Sequence, residues 1–300
     1  MIQGIRQNER MTDHVFIAGP TSWNRIVMLD RLPEPVPHMQ FALDEYETVG
    51  GTSAGKALGL AGLGRPVVLH ALFGGDVDGE RVRGLLESAG VTVLAGAGGT
   101  TERHLNLMTP AGERVSLYLA TPTDSYPPSE SVAAAMAGSS AIVLDLAPLA
   151  QGLIPLATAS ARPIWTDIHD YDGDADYHRP FIDAADVIFM NADRIGPDPL
   201  PFMQARVEAG ASLVVCTLGE RGAIAVARDE SGRMSRHEVA AVPVAVRDTN
   251  GAGDAFMTGV LDATLAGAGV PDALRAGAEH AASVLGTRHL HPSLDEALGR

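Results

Sequence analysis

The chain has 300 residues, of which 46% are apolar and 20% are charged, a composition that is typical of a folded domain and excludes a largely disordered chain. Its 37 Asp and Glu residues outnumber its 22 Lys and Arg residues, which gives a net charge of −15. That charge excludes a broad basic surface for nucleic acid or for an anionic membrane. It still allows a small phosphorylated ligand, because backbone N–H groups in one pocket can bind an anion.

The single cysteine, Cys216, excludes an internal disulfide, and its apolar neighbours predict a buried strand position. A lone cysteine fits a reducing compartment, so we expect a cytoplasmic protein. No apolar run approaches the roughly 18 residues of a transmembrane helix. Residues 1–10 are polar and do not resemble a signal peptide. We therefore expect residues 1–12 to form a disordered extension, with Met11 as an alternative start, and residues 13–300 to form the folded domain.

Short apolar segments alternate with helix-like segments in chain order. The spacing of about 25 residues between strands, with helices between them, favours crossover connections and a mostly parallel sheet. The fold class is therefore α/β. The predicted strands are 15–19, 66–73, 141–146, 163–168, 187–190, 212–218, 223–227 and 240–246, and the predicted helices are 52–63, 79–88, 129–137, 149–160, 177–184, 200–209, 251–266 and 271–286.

Two stretches, 33–49 and 101–120, depart from this alternation. The first contains three prolines followed by alternating apolar residues, and the second has the pattern of a hairpin with a turn at 110–113. Alternation with period two and a half-polar face predicts a small antiparallel sheet outside the main one. Such insertions form either a lid over a ligand or a pair of surface ribbons.

The segment from Asp248 to Phe256 carries the strongest chemical signal. The small residues Gly251, Ala252 and Gly253 would let an anion approach the backbone closely. The helix that follows would direct free N–H groups at that anion. Asp254 beside such a site fits a base that takes a proton from an attacking hydroxyl. A plain helix start, with Asp254 favouring the helix dipole, explains the same residues.

The segment Gly50–Ala57 matches the pattern of a phosphate-binding P-loop only in part. It has Ala57 where that loop needs a Ser or Thr for Mg²⁺, and a polar segment precedes it. We therefore interpret Gly50 and Gly51 as a close approach of backbone to a ligand, followed by a tightly packed helix.

Polar residues follow three of the predicted strands, at the edge where ligands bind in open parallel sheets. Thr217 and Gly219 follow one strand and Asn191 follows another, although turn chemistry also explains them. Asp167 and His169 could face the same cleft. The acidic stretch after them lacks the Gly and the final Glu of a calcium loop, so we interpret it as a solvated loop.

Four segments, in this order and spacing, resemble the signatures of the PfkB, or ribokinase-like, carbohydrate kinases. Asp248–Asp254 resembles the C-terminal signature, and Gly50–Gly64 resembles the N-terminal one. Gly74–Gly79 is similar to the segment that usually follows the latter, and Thr217–Gly222 is similar to the nucleotide-side loop. The resemblance extends over about residues 14–292. It implies a three-layer fold, with helices on both faces of a mostly parallel central sheet and a small β lid over the substrate. It also implies transfer of the γ-phosphoryl group of ATP, with Mg²⁺, to a hydroxyl.

The same resemblance implies a role for individual residues. Asp254 would be the base, and the backbone of Gly251, Ala252 and Gly253 would be the anion hole. The implied nucleotide-side residues are Asn191 and Arg194 near the phosphates and Mg²⁺, with Thr217, Gly219 and Gly222 beside the nucleotide. The implied acceptor-side residues are Asn24, Gly50, Gly51 and Gly55. Asp248 and Asn250 match positions that hold a monovalent cation such as K⁺ in some members.

Three positions depart from the family pattern. Asn24 stands where an Asp often grips sugar hydroxyls, and Gly55 stands where an Asn is common. Arg194 stands where a Glu often follows the Asn near the phosphates, and it could hold a phosphate directly. Changed polar anchors imply a changed acceptor.

We expect an ATP-dependent kinase that acts on a sugar, a sugar acid or a polyol. A nucleoside kinase is the alternative, with an aromatic slot for the base drawn from Trp23, Phe41, Tyr118 and Trp165. A non-catalytic ligand-binding or regulatory protein on the same scaffold is a second alternative, motivated by the three departures. An exposed lid strand could also pair two subunits into a homodimer.

Overall fold

The central sheet has nine strands in a computed structural model that describes residues 14–123, 127–229 and 231–299. The predicted extension, residues 1–12, lies outside the described residues. The strands of the whole described chain are Val15–Ala18 (β1), Ser22–Met28 (β2), Asp44–Gly50 (β3), Val67–Phe73 (β4), Thr92–Ala97 (β5), Glu102–Met108 (β6), Arg114–Ala120 (β7), Ala141–Leu144 (β8), Ile164–Asp167 (β9), Val187–Asn191 (β10), Leu213–Thr217 (β11), Ala223–Arg228 (β12) and Met234–Val239 (β13).

The helices connect these strands. Each helix that the sequence predicted begins and ends within two residues of its predicted bounds. They are Thr52–Gly62 (α1), Val77–Ser88 (α2), Glu130–Ala137 (α3), Pro148–Ser160 (α4), Arg179–Ala184 (α5), Leu200–Glu208 (α6), Ala252–Leu265 (α7), Val270–Leu285 (α8) and Asp295–Leu298 (α9). None of these helices, within the described ranges, is long and apolar enough to cross a membrane.

The central sheet has the order β13-β12-β11-β10-β9-β8-β1-β4-β5. Neighbouring strands are parallel except β11 with β12 and β12 with β13. Along β1, Val15 and Ile17 pack into one apolar cluster while Phe16 and Ala18 pack into another. Since successive side chains of a strand point to opposite faces, both faces of the sheet are covered by helices. This confirms the predicted three-layer α/β fold.

A second sheet of four strands, in the order β3-β2-β6-β7, forms the lid. The two predicted insertions supply β3, β6 and β7, and both join one sheet. The prediction of a purely antiparallel sheet is wrong, because β2 and β6 run parallel. The strand β2, which lies outside both insertions, joins them: its Arg25 pairs with Glu47 of β3 on one side and with Leu105 of β6 on the other.

The predicted strand 240–246 is also wrong. That segment has no strand structure, and its apolar side chains Val242, Val244 and Val246 are exposed. Pro243 lies within it and cannot donate a ladder hydrogen bond. The last strand of the sheet, which pairs with β12 on the side away from β11, is instead the polar segment β13. It lies at the edge of the sheet and therefore needs no continuous apolar run.

Candidate active site

The N-terminus of α7 is built to bind an anion. Gly251 precedes the helix with φ of 77°, a left-handed conformation that favours glycine, and no side chain caps the helix. Its carbonyl accepts the first helical bond from Ala255 N at 2.8 Å. The Ala252 N–H donates to the carbonyl oxygen of Thr249 at 3.4 Å, so the N–H groups of Gly253 and Asp254 are the ones that face outward with the positive end of the helix dipole.

Asp254, in that first turn, belongs to a buried cluster around Lys56. Nζ of Lys56 lies 2.5 Å from Oδ1 of Asp254, 2.9 Å from Oδ1 of Asp145 and 3.7 Å from Oδ2 of Asp167. The Lys56 side chain is completely buried on α1, and the three carboxylates come from the first turn of α7, the end of β8 and the end of β9. One ammonium group thus holds three acidic side chains from three elements together.

This cluster shifts the pKa values of Asp254, Lys56 and Asp167. Burial, together with the charges of Asp145 and Asp167, raises the pKa of Asp254 to about 6 against the opposing charges of Lys56 and His169. Burial would lower the pKa of Lys56, but the three carboxylates outweigh it and the pKa is raised. Burial would raise the pKa of Asp167, but His169 and Lys56 together hold it below the usual value. Asp254 is therefore the carboxylate suited to exchange a proton near neutral pH.

Gly55 lies on α1 directly behind the Asp254 carboxylate. A Cβ atom at Gly55 would lie 2.9 Å from Oδ2 of Asp254, closer than ordinary van der Waals contact. The sequence predicted Gly55 as an acceptor-side residue. The structure places it against the Asp254 carboxylate, where its missing side chain allows α1 and α7 to approach.

His169 connects this cluster to the nucleotide side. It has φ of 50°, which is uncommon for a residue with a side chain. Its N–H donates to Oδ1 of Asp167 at 2.9 Å, its Nδ1 lies 3.4 Å from Oδ2 of Asp167, and its carbonyl accepts from Asn191 N at 2.9 Å. A backbone held in a sparsely populated conformation at such a junction is a feature of functional sites.

The predicted nucleotide-side residues lie along the ends of β10 and β11. Asn191 and Thr217 are direct neighbours in the parallel pair, and Gly219 has an open left-handed position at φ of 61°. Arg194 is exposed and lies 3.8 Å from Asp170 and 3.7 Å from Asp172. Backbone packing alone requires a glycine at position 222, because a Cβ atom there would overlap the carbonyl oxygen of Val239.

A cavity of about 190 Å³ lies between the lid and the α7 N-terminus. It brings together the predicted residues Asn24, Gly50, Gly51, Asp248, Asn250, Gly251 and Asp254. Alternate residues of two lid strands complete its wall, namely Glu102, His104 and Asn106 of β6 and Arg114, Ser116 and Tyr118 of β7. We call it the acceptor cavity.

The side chains predicted to hold a monovalent cation have other partners. Asp248 accepts hydrogen bonds from Asn250 N at 2.8 Å, from Asn250 Nδ2 at 3.2 Å and from the Tyr46 hydroxyl at 3.1 Å. Oδ1 of Asn250 accepts from the Arg114 guanidinium at 2.5 Å. A cation from the lid thus takes the place next to Asn250, and these side chains do not fit a bound K⁺. Among the described residues, no group of three or more His, Cys, Asp and Glu side chains could hold a metal ion.

Several residues of the site were missed by sequence reasoning. Lys56 was considered only as part of a rejected P-loop pattern, and Asp145 only as the end of a strand. Glu102 and His104, which contact each other at 2.9 Å, and Arg114 were part of a predicted hairpin. The alternation of polar residues along 102–106 and 114–118 was the available signal, since it marks one face of each strand.

Known proteins share this arrangement along nearly the whole chain. The pfkB family of carbohydrate kinases matches residues 43–297. An acarbose 7(IV)-phosphotransferase of an Actinoplanes species is 30% identical, over 89% of this chain and 91% of that protein. A nucleoside kinase of Methanothermobacter thermautotrophicus is 26% identical, over 94% and 93%. The solved structure of a microbiome-derived acarbose kinase superposes with a TM-score of 0.79 at 28% identity, covering 92% of this chain and 93% of that one.

The nine-stranded sheet with its four-stranded lid has the ribokinase-like fold. The chain belongs to the pfkB family of carbohydrate kinases. It is therefore an ATP-dependent sugar kinase.

Proposed function

We propose that this kinase transfers the γ-phosphoryl group of ATP to a hydroxyl of a sugar, sugar acid or polyol, with Asp254 as the base. The observation that carries the proposal is the position of the Asp254 carboxylate. It lies at the wall of the acceptor cavity, in the first turn of an uncapped helix, with a pKa of about 6. A carboxylate next to a bound phosphoryl group is unfavourable, because like charges repel, unless it takes up a proton during the reaction.

In the proposed reaction, Asp254 takes the proton of the acceptor hydroxyl as its oxygen bonds to the γ-phosphorus. The bond from that phosphorus to the bridging oxygen breaks, and ADP leaves. The N–H groups at Gly251, Ala252 and Gly253 stabilise the negative charge of the phosphoryl group. Asn191, Arg194, Thr217 and Gly219 lie where they would hold the nucleotide, and Mg²⁺ bound with ATP would neutralise the phosphates.

The acceptor cavity favours a sugar over a nucleoside. Of the four aromatic residues considered for a base slot, only Tyr118 lines it. Trp165 is stacked on Phe189 in the core, and Trp23 is buried beneath Arg81. Phe41 is 84% exposed on the segment before β3. The polar lining by Asn, His, Ser and Glu side chains suits the hydroxyls of a sugar.

The substitution Asp254→Asn tests the proposed base. We expect kcat to fall by about 10²–10⁴ because the amide cannot take up the proton, while ATP still binds. Turnover is measured as ADP release with Mg²⁺–ATP and a panel of sugars, sugar acids, polyols and nucleosides, and ATP binding is measured by calorimetry. Asp262→Asn, which lies on the same helix and pairs with Arg65, is the control. Full turnover in Asp254→Asn would contradict the assignment of the base.

We also propose that the lid joins two copies of the chain. β7 is an edge strand of the lid sheet, and its residues Val115, Leu117 and Leu119 point away from the acceptor cavity. They are 40%, 45% and 57% exposed. Apolar residues on an exposed edge strand favour pairing with a second copy.

A further inference from the structure

A second and larger cavity adjoins the acceptor cavity. It measures about 870 Å³, which is within the usual range of ligand pockets of roughly 300–1,000 Å³. The two cavities share Pro20, Glu102 and Tyr118 at their border. We call it the outer cavity; the proposed reaction does not use it.

The outer cavity lies on the opposite side of the acceptor cavity from the nucleotide-side residues. Its walls come from the segments that follow β1 and β8, from β4 and from α4. Asn191 and Thr217 follow β10 and β11, which stand on the other side of β8 in the strand order. The occupant of the outer cavity is therefore continuous with the acceptor and separate from ATP.

The walls of the outer cavity combine apolar surface with a few polar groups. Leu72, Pro122 and Leu149 contribute apolar surface, and Glu102 contributes a carboxylate at the border.

We infer that the acceptor is not a free monosaccharide but a sugar that carries a second unit through a glycosidic bond. The reacting sugar occupies the acceptor cavity beside Asp254, and the second unit occupies the outer cavity, with the Tyr118 ring at the junction between them. This inference rests on the proposed function and names its substrate class. Contacts made by the remote unit would provide binding energy for positioning the reacting hydroxyl.

Gly152 on α4 offers a way to fill the outer cavity without disturbing the fold. It lines the cavity, and a Cβ atom there would meet no heavy atom within 4 Å. Replacing a helical glycine generally does not weaken a helix, because glycine has one of the poorest helix propensities. Gly152→Trp therefore occupies the space of the second unit. Gly84→Trp is the matched control, since Gly84 lies on α2 with equally open space and lines neither cavity.

The experiment compares matched acceptors in the full-length chain with Mg²⁺–ATP. The pairs are glucose with maltose and maltotriose, galactose with lactose, and fructose with sucrose, and 4-nitrophenyl glucoside supplies an apolar second unit. We expect kcat/KM to favour an extended acceptor of at least one pair by about ten-fold or more. We expect Gly152→Trp to abolish that preference and Gly84→Trp to retain it.

The outcomes separate this inference from the proposed function. The inference is supported if the enzyme prefers either the maltose-type or the 4-nitrophenyl acceptors and Gly152→Trp removes that preference. The preferred acceptor then identifies the kind of second unit that binds. Equal or better use of the monosaccharide in every pair overturns the inference alone, as does a preference that Gly152→Trp leaves intact. No phosphorylation in any of these pairs overturns this inference. No phosphorylation of any sugar, sugar acid or polyol, in these pairs or in the panel used for Asp254→Asn, overturns the proposed function as well.

Discussion

Lys56 is the residue on which the proposed base depends. A lysine ammonium group that is fully buried must be compensated by opposite charge, and here three carboxylates surround it. The arrangement also fixes the position of Asp254, because its Oδ1 is held at 2.5 Å from a group that cannot move freely. Asp145 is fixed in turn by the hydroxyl of Ser53, which donates to its Oδ2 at 2.6 Å.

The pH dependence of the reaction tests this electrostatic balance. Asp254 has to be ionised to accept a proton, so we expect kcat/KM to fall as the pH drops through about 6. Lys56→Met removes the charge that lowers the Asp254 pKa, so the acid limb moves to higher pH. Asp145→Asn removes a charge that raises the same pKa, so the limb moves to lower pH. Profiles measured from pH 4.5 to 9 check both directions.

Shifts of the same sign in Lys56→Met and Asp145→Asn would contradict this account. Breaking a buried ion pair typically costs about 3–5 kcal/mol of stability. Each variant is therefore first melted at several pH values, and the profile is taken only over the range in which the variant is folded. Arg83→Met, which breaks an exposed pair with Glu87 on α2, is the control and leaves the profile unchanged.

Gly55 tests how closely the base must be placed. In Gly55→Ala the added methyl group meets the Asp254 carboxylate, which Lys56 holds from another side. We expect kcat to fall by about ten-fold to a hundred-fold through displacement of the base, with the KM for ATP nearly unchanged. Gly84→Ala, in open space on α2, should keep wild-type kcat and gain slightly in melting temperature. Wild-type kcat in Gly55→Ala would show that the base tolerates displacement.

At the scale of elements, the lid is tied to the segments that carry the catalytic loop. Tyr46 of β3 donates a hydrogen bond to Asp248 and lies 3.1 Å from the carbonyl oxygen of Arg288. Arg114 of β7 contacts Asn250, directly before the Gly251 turn. Both outer strands of the lid therefore reach the loop that precedes α7, so the position of the lid and the shape of the anion site are coupled.

Tyr46→Phe tests this coupling by removing one hydroxyl. A typical hydrogen bond contributes about 1 kcal/mol, so we expect the KM for the acceptor to rise about three- to ten-fold, with a smaller effect on the KM for ATP. Initial-rate kinetics with each substrate varied in turn measure the two constants. Tyr177→Phe, in the turn before α5 and 44% exposed, is the control. Equal increases in both KM values would indicate a general loss of structure.

At the scale of the whole molecule, the lid has two different faces. Residues 114, 116 and 118 face the acceptor cavity, while 115, 117 and 119 face outward and are apolar. The apolar outer face is the surface that the proposed dimer would bury.

Leu117→Lys tests the proposed dimer, because a charge at the centre of an apolar contact is costly to bury. We expect sedimentation velocity to show a dimer for the wild type and a monomer for the variant at the same concentration. Leu63→Lys, at an exposed site after α1, is the control and leaves the dimer intact. If the wild type is a monomer, the proposed dimer is contradicted, and the proposed phosphoryl transfer is not affected.

Local patterns of the sequence were enough to predict the α/β class and most of the helices, and to single out the glycine-rich segment with Asp254. Buried parallel strands need continuous apolar runs, and helix starts need small or acidic residues, so both are visible along the chain. The edge strands β5 and β13 were missed because both are half-exposed and neither has a continuous buried apolar run.

The lysine cluster and the two adjoining cavities were decided by tertiary structure alone. Lys56 lies 89 residues before Asp145 and 198 residues before Asp254, and no local pattern marks a contact over such distances. The sheet brings the ends of β8 and β9 next to α1 and α7, and only then does one ammonium group meet three carboxylates. The sequence by itself determined which groups are available for chemistry, because residue type sets charge and proton affinity. The fold decided which of them act together, because distance and burial set how strongly charges interact.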